Sequence, residues 1–307
     1  MTLPLSPNRP STAEVTPTIR RLAWASLVSQ IAIVVTGGAV RLTASGLGCP
    51  EWPRCTPDSV VATPEMGIHG IIEFGNRLLT FVLVAIAVAL VVALWNRRKE
   101  RRDLFSLALA LLGGIPAQAV IGGITVWTGL NPWVVGWHFI VSMALITLAT
   151  ILVNRARLST DQAHDAGTPL APPALRRLLV AIAVLAGMTI LLGVIVTGSG
   201  PHAGDQGAAR NNLDPALMTR LHAAPVYLLV LTTAAAIVLA FRKALAPRLR
   251  GALVTFGAVV LLQGAIGYTQ HFLDLPVALV AAHMLGASLL TAATAHAVQV
   301  GCTRYHS

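Results

Sequence analysis

Apolar residues fall along this chain in long, nearly unbroken runs. They show neither the two-residue alternation of a half-buried strand nor the one-sided stripe of a soluble helix. Eight runs, at 22–40, 67–95, 104–127, 133–153, 176–198, 216–241, 250–272 and 276–300, reach the roughly 20 residues a helix needs to cross a bilayer. The pattern predicts an all-α integral membrane protein with eight transmembrane helices. The first run follows a polar, Pro-containing tail and lacks a small-residue cleavage signature, so it reads as a retained helix rather than a signal peptide.

The runs also repeat. "QAVIGGITVWTGLNPWVVGWH" (Gln118–His138) and "QGAIGYTQHFLDLPVALVAAH" (Gln263–His283) both open on Gln and carry Gly four residues on (Gly122, Gly267). Both then turn through a Pro (Pro132, Pro276) and reach a His twenty residues after the Gln. "VVTG" at Val34–Gly37 likewise matches "IVTG" at Ile195–Gly198. Four helices per repeat is an even number, so both halves share one orientation, and a pseudo-two-fold axis along the membrane normal should relate the two four-helix bundles. The chain then divides into a tail at 1–21, a first half at 22–153, a linker at 154–175, a second half at 176–300 and a tail at 301–307.

Composition fits this picture, with 55% hydrophobic and only 11% charged residues. A net charge of +10 could suggest nucleic acid, but its placement argues against that. Arg97, Arg98, Lys99, Arg101 and Arg102 lie between runs two and three, and Arg155, Arg157, Arg176 and Arg177 between four and five. Arg242, Lys243, Arg248 and Arg250 lie between six and seven, whereas the alternate loops carry only Arg41, Arg54 and Arg210. Lys and Arg collect on the cytoplasmic side, so the charge records topology and puts both termini inside.

Of the histidines within the apolar runs, His69, His138, His222 and His283 each sit on an even-numbered helix toward its outer end, whereas His271 and His296 lie near run ends and are assigned no role. One such residue could simply hydrogen-bond across helices. Four on alternate helices, two of them at matching places in a repeat, point to axial ligation of haem iron, and His222 and His283 carry that reading furthest. Glu73 is the only acid within any run. An i,i+4 salt bridge to Arg77 would hide its charge, yet His69, Glu73 and Asn76/Arg77 also share one helix face, as residues lining a pocket would. Gln118 and Gln263 read as interhelical hydrogen-bonding groups. Cys49 and Cys55 share the first outer loop, where an oxidising compartment permits a disulfide, structural or redox-active; Cys302 reads as a plain thiol. Two other classes use some of these features. A bis-His transmembrane electron-transfer cytochrome b would need the histidines but neither Glu73 nor the Cys loop. A secondary transporter would show Gly/Pro-broken half-helices at matched positions, which the even helices lack.

"TGGAVRLTASGLGCPEWPRC" (Thr36–Cys55), "IEFGNR" (Ile72–Arg77), the two Gln-to-His units and "TGSGPHAGD" (Thr197–Asp205) together make the chain resemble haem A synthase across all eight runs. These membrane enzymes oxidise haem O to haem A for terminal oxidases, and the last motif is similar to the form in actinobacterial members. The resemblance implies a bacterial cell-membrane location and a permanent haem b held by His222 and His283. It implies haem O as substrate in the first half, with His138 as axial ligand and Glu73 beside the reacting ring methyl, which two hydroxylations and loss of water convert to formyl. Implied partners are a haem O synthase, a membrane electron acceptor and lipid, with room for a homo-oligomer. The family pattern Glu-x-x-His-Arg appears here as Glu73-x-x-Asn76-Arg77, so an expected ligand is missing. Either His138 alone holds the substrate haem, with Glu73 and Asn76 lining the other face, or the haem sits further out and His69 joins His138. The sequence favours the second arrangement, because a His on the Glu73 face is hard to attribute to packing.

Overall fold

The computed structural model describes residues 15–158, 168–302 and 304–305. Its helices are α1 (Pro17–Leu42), α2 (Gly67–Leu94), α3 (Arg102–Trp127), α4 (Pro132–Arg155), α5 (Pro173–Ser199), α6 (Pro215–Arg242), α7 (Pro247–Phe272) and α8 (Val277–Cys302). All eight are long and apolar enough to cross a membrane, and this is a multi-pass membrane protein. Each expected run falls on one helix. Much of the predicted linker and of both tails lies outside the described residues. Next to them, a two-residue antiparallel ladder pairs Thr168–Pro169 with Arg304–Tyr305.

Local chemistry fixes the helix ends. Proline occupies the first turn of α1, α4, α5, α6 and α7, where a missing N–H costs nothing. Side chains of Thr16, Asn131 and Asp214 cap α1, α4 and α6 by accepting from the N–H groups of Ile19, Trp133 and Ala216. At the other ends of α1, α3, α6 and α7, the N–H groups of Ser45, Leu130, Leu245 and Leu275 reach back to the carbonyls of Val40, Thr125, Ala240 and Gln270. These close Schellman turns, each through a left-handed residue: Ala44, Gly129, Ala244 and Asp274.

In each half, neighbouring helices pack in sequence and the fourth closes on the first. Between halves α4 meets α8, α1 meets α8 and α4 meets α5. Exchanging α1 with α5 and α4 with α8 maps this set of contacts onto itself. At the Cys-loop end the halves are joined by Gly46 N–H to the Gly204 carbonyl (2.8 Å) and by Arg41, whose guanidinium donates to the carbonyls of His202 (2.5 Å) and Thr197 (2.8 Å). At the basic end Asn154 donates to Gln299 (2.8 Å) and its Oδ1 accepts from His296 Nδ1–H (2.8 Å). A mostly apolar crevice of about 750 Å³ lies between α4, α5 and α8, with Arg155 and Gln299 among its walls.

The two most extensive apolar cores among the described residues, one per half, sit toward the basic ends. The first includes Ile19, Leu90, Leu94, Leu104, Leu111, Ile146 and Leu152; the second includes Leu175, Leu179, Ile182, Leu249, Leu253 and Phe256. Toward the Cys-loop end this dense packing gives way to the histidines. Arg101, which by sequence is one of a cluster of topology-marking cations, is fully buried. Its guanidinium pairs with Asp103 (3.1 and 3.2 Å) and donates to the carbonyls of Arg155 (2.9 Å) and Leu158 (3.2 Å). It thereby ties the α2–α3 turn to the C-terminal end of α4, where carbonyls lack helical partners. Arg101→Ala should cost about 2–4 kcal/mol by stranding these acceptors. Arg101→Lys should recover little, because an ammonium cannot reproduce the fork. Thermal unfolding of both variants in detergent checks this; a lysine variant as stable as the parent would contradict it.

Candidate functional site

The opposite end of the first half is built around a disulfide loop. Cys49 and Cys55 are joined, with Cα atoms 4.4 Å apart, as their loop position predicts. The loop lies flat on α2: a Cβ on Gly48 would collide with the backbone carbonyl of His69, so only glycine permits this approach. Trp52 seats its indole on Gly123 of α3 and meets Trp127 edge-on at 5.3 Å, while Trp127 Nε1 donates to the Trp52 carbonyl (3.1 Å).

Glu73 and Arg77 form the anticipated i,i+4 pair (2.5 Å), and both do more than hide each other's charge. Arg77 also donates to the carbonyls of Cys49 (3.0 Å), Glu51 (3.0 Å) and Arg54 (2.9 Å). The second carboxylate oxygen of Glu73 accepts the Cys49 N–H (2.5 Å). The buried Glu73 is therefore pinned by two donors, and the pair clamps the disulfide loop to the helix. Sequence reasoning had the pairing but not this loop contact.

Three histidines share one local arrangement. A Cβ placed on Gly122 would stand 3.3 Å from Cε1 of His138; on Gly267, 3.3 Å from Cε1 of His283; on Gly193, 3.0 Å from Cε1 of His222. Each imidazole thus lies against a glycine of the preceding helix. Between α1 and α2, Gly37 faces the Asn76 amide at 3.9 Å. Asn76 Oδ1 accepts from Thr36 Oγ1 (2.7 Å).

His69 is elsewhere. Its ring is exposed, its Nδ1 bonds Ser45 Oγ (2.8 Å), and it lines a cleft of about 540 Å³ together with Gly48, Met66, Asp205 and Gln206. The cleft lies where the loop between α1 and α2 meets the loop after α5. Ser45 and Asp205 lie within the two loop motifs quoted above, but the sequence assigns a role to neither.

His222 and His283 face each other with ring centroids 6.5 Å apart and planes at 78°. A metal–imidazole bond is about 2 Å, so two such bonds plus the half-width of each ring span roughly 6–6.5 Å, and one iron fits between these rings. His222 Nδ1 lies 2.9 Å from the Thr189 carbonyl. That contact makes Nδ1 the protonated nitrogen and leaves Nε2 its lone pair. The Nδ1 atoms of His138 and His283 are buried without a protein partner. The donor chemistry of this pair suits a bis-imidazole haem.

Residues 20–295 match the COX15-CtaA family, described as cytochrome oxidase assembly protein. A heme A synthase of Lysinibacillus sphaericus is 28% identical over 183 residues, covering 58% of this chain and 58% of that protein. One of Methylobacterium radiotolerans is 32% identical over 203 residues, covering 57% and 54%, and one of Staphylococcus epidermidis is 26% identical over 184 residues, covering 58% and 59%. The chain spans little more than half the length of these curated relatives. The family match covers most of the chain and takes in every helix that carries a histidine of the site. The chain belongs to the COX15-CtaA family of cytochrome oxidase assembly proteins.

Proposed function

We propose that this protein oxidises a ring methyl of haem O to the formyl group of haem A. In this reading His222 and His283 hold a permanent haem b in the second half, and His138 holds the substrate haem in the first. The observation that carries the reading is the facing pair His222 and His283 at 6.5 Å, together with a third imidazole, His138, on the same glycine-backed scaffold. A bound haem b supplies one-electron redox chemistry. A bis-His electron-transfer cytochrome would account for His222 and His283 but leaves His138 and the clamped Glu73 without a task.

The chain's own residues have distinct duties. Thr189 fixes the tautomer of His222 through its carbonyl. Glu73, held by Arg77 and the Cys49 N–H, presents a fixed negative charge that can stabilise positive charge developing at the methyl carbon or take a proton from attacking water. The disulfide loop covers this end and limits water. Asn76 replaces the second axial imidazole, so His138 is the single protein ligand of the substrate haem. His69, tied to Ser45 in the outer cleft, is a rim residue, which reverses the preference drawn from sequence. We place the basic ends of the helices in the cytoplasm and the Cys loop outside, with a pseudo-two-fold axis along the membrane normal relating the halves. Haem O would come from a haem O synthase, and electrons would leave to a membrane acceptor.

Three measurements bear on this. His283→Ala protein should reach the membrane but lose most haem b in a pyridine-haemochrome assay; an unchanged low-spin spectrum would remove the assignment. Glu73→Gln should keep haem b while haem A yield falls about 10²-fold, the usual cost of removing one preorganised electrostatic group. Near-parental yield would reduce Glu73 to a loop clamp. His138→Ala should abolish binding of the substrate haem, His69→Ala should only reduce its turnover, and Asn76→His should convert the substrate-haem spectrum to low-spin bis-imidazole. Equal losses from the His69 and His138 changes would restore His69 as a ligand.

A further inference from the structure

Each half has a glutamine, half-buried Gln118 and buried Gln263, tied to the backbone of the repeat histidine twenty residues later. Gln118 Nε2 donates to the His138 carbonyl (3.0 Å) and to Ser142 Oγ, and Gln263 Nε2 donates to the His283 carbonyl (3.1 Å). Only the NH₂ end of an amide can face a carbonyl, so these bonds set the orientation and leave Oε1 as the spare acceptor. Oε1 of Gln118 and of Gln263 is buried and has no hydrogen-bond partner, and the same holds for Nδ1 of His138 and His283. In each half these two hydrogen-bonded residues carry a buried acceptor and a buried ring nitrogen that lack a partner among the described residues. An imidazole that ligates iron through Nε2 must carry its proton on Nδ1, and a ligating histidine normally donates that proton to a nearby oxygen. His222 differs: its Nδ1 already faces the Thr189 carbonyl. Gly286 sharpens the case in the second half, because any Cβ there would strike the Gln263 side chain, so α8 leaves room for this amide one turn from His283.

We infer that Gln263 and Gln118 are positioning residues whose Oε1 atoms accept the Nδ1 proton of His283 and His138, directly or through one water, when those rings bind haem. The inference rests on the haem-binding reading above. It assigns the two glutamines more than an interhelical tether: they set ring orientation and the basicity of the axial ligand. An acceptor on Nδ1 makes imidazole a stronger donor to iron, favours the ferric state and lowers the reduction potential.

The test is redox titration of the b-type haem in purified full-length protein and its Gln263→Leu and Gln263→Glu variants, each with haem content measured by pyridine haemochrome. Leu removes both the tether and the acceptor, whereas Glu keeps an oxygen at the same reach. The expected result is a higher potential in Gln263→Leu and a potential at or below the parental value in Gln263→Glu. If Leu leaves the potential unchanged, or if both variants shift upward together, the glutamine is only a tether and the inference falls. If Gln263→Leu fails to retain haem, Gln263→Glu decides alone: an upward shift overturns the inference and a parental or lower value supports it. Parental protein that holds no haem overturns the functional reading itself, a result the variants cannot mimic.

Discussion

An ion pair in hydrocarbon persists only if every donor and lone pair around it is used, and the Glu73–Arg77 pair meets that demand through the disulfide loop. Arg77 gives its protons to Glu73 and to the carbonyls of Cys49, Glu51 and Arg54, while Glu73 takes the Cys49 N–H. The loop backbone in turn needs these partners, since it runs over the helix mouths with few bonds of its own. The Cys49–Cys55 bridge narrows the conformations that the loop can take, and Gly48 and Gly123 let it lie directly on α2 and α3. Loop, charge pair and helix entrance form one unit, and its Trp52 rests on Gly123, next to the glycine that backs His138.

Stability and chemistry occupy opposite ends of the bundle. Leucine-rich cores and the buried Arg101 network hold the basic ends. At the other end glycines replace bulky side chains wherever an imidazole must lie close to the neighbouring helix, at Gly122, Gly193 and Gly267. That exchange costs packing, and the dense half of each bundle supplies the rigidity that the open half lacks. The halves diverge within this common plan. The second has two facing imidazoles, whereas the first has one imidazole, an asparagine and a carboxylate, an asymmetry suited to one retained and one exchangeable haem.

How much of this was legible from sequence follows from the range of each interaction. Within a bilayer every backbone hydrogen bond must close inside its own helix, so the length of an apolar run is sufficient to mark a span, and all eight were readable. The histidines, Glu73 and the paired Gln-to-His units were readable too, because a polar side chain inside such a run is costly enough to need a reason. The i,i+4 spacing of Glu73 and Arg77, and the placement of both cysteines in one short loop, are also local.

What the sequence did not contain was the direction of side chains across segments far apart in the chain. His69 shares a helix face with Glu73 by spacing, yet packing turns its ring to Ser45 and the outer cleft. Arg101 looks like one more cytoplasmic cation, and only the meeting of the α2–α3 turn with the end of α4 buries it. The Thr189 carbonyl carries no signal as a residue type, and Gln263 reads from sequence only as an interhelical hydrogen-bonding group. Their effect on His222 and His283 exists because α5 lies against α6 and α7 against α8 at separations of a few ångströms. Local periodicity and solvation set the helices and the residue types of the site. Tertiary packing alone decides which imidazoles meet, because hydrogen bonding and ligation depend on distances that chain spacing does not fix.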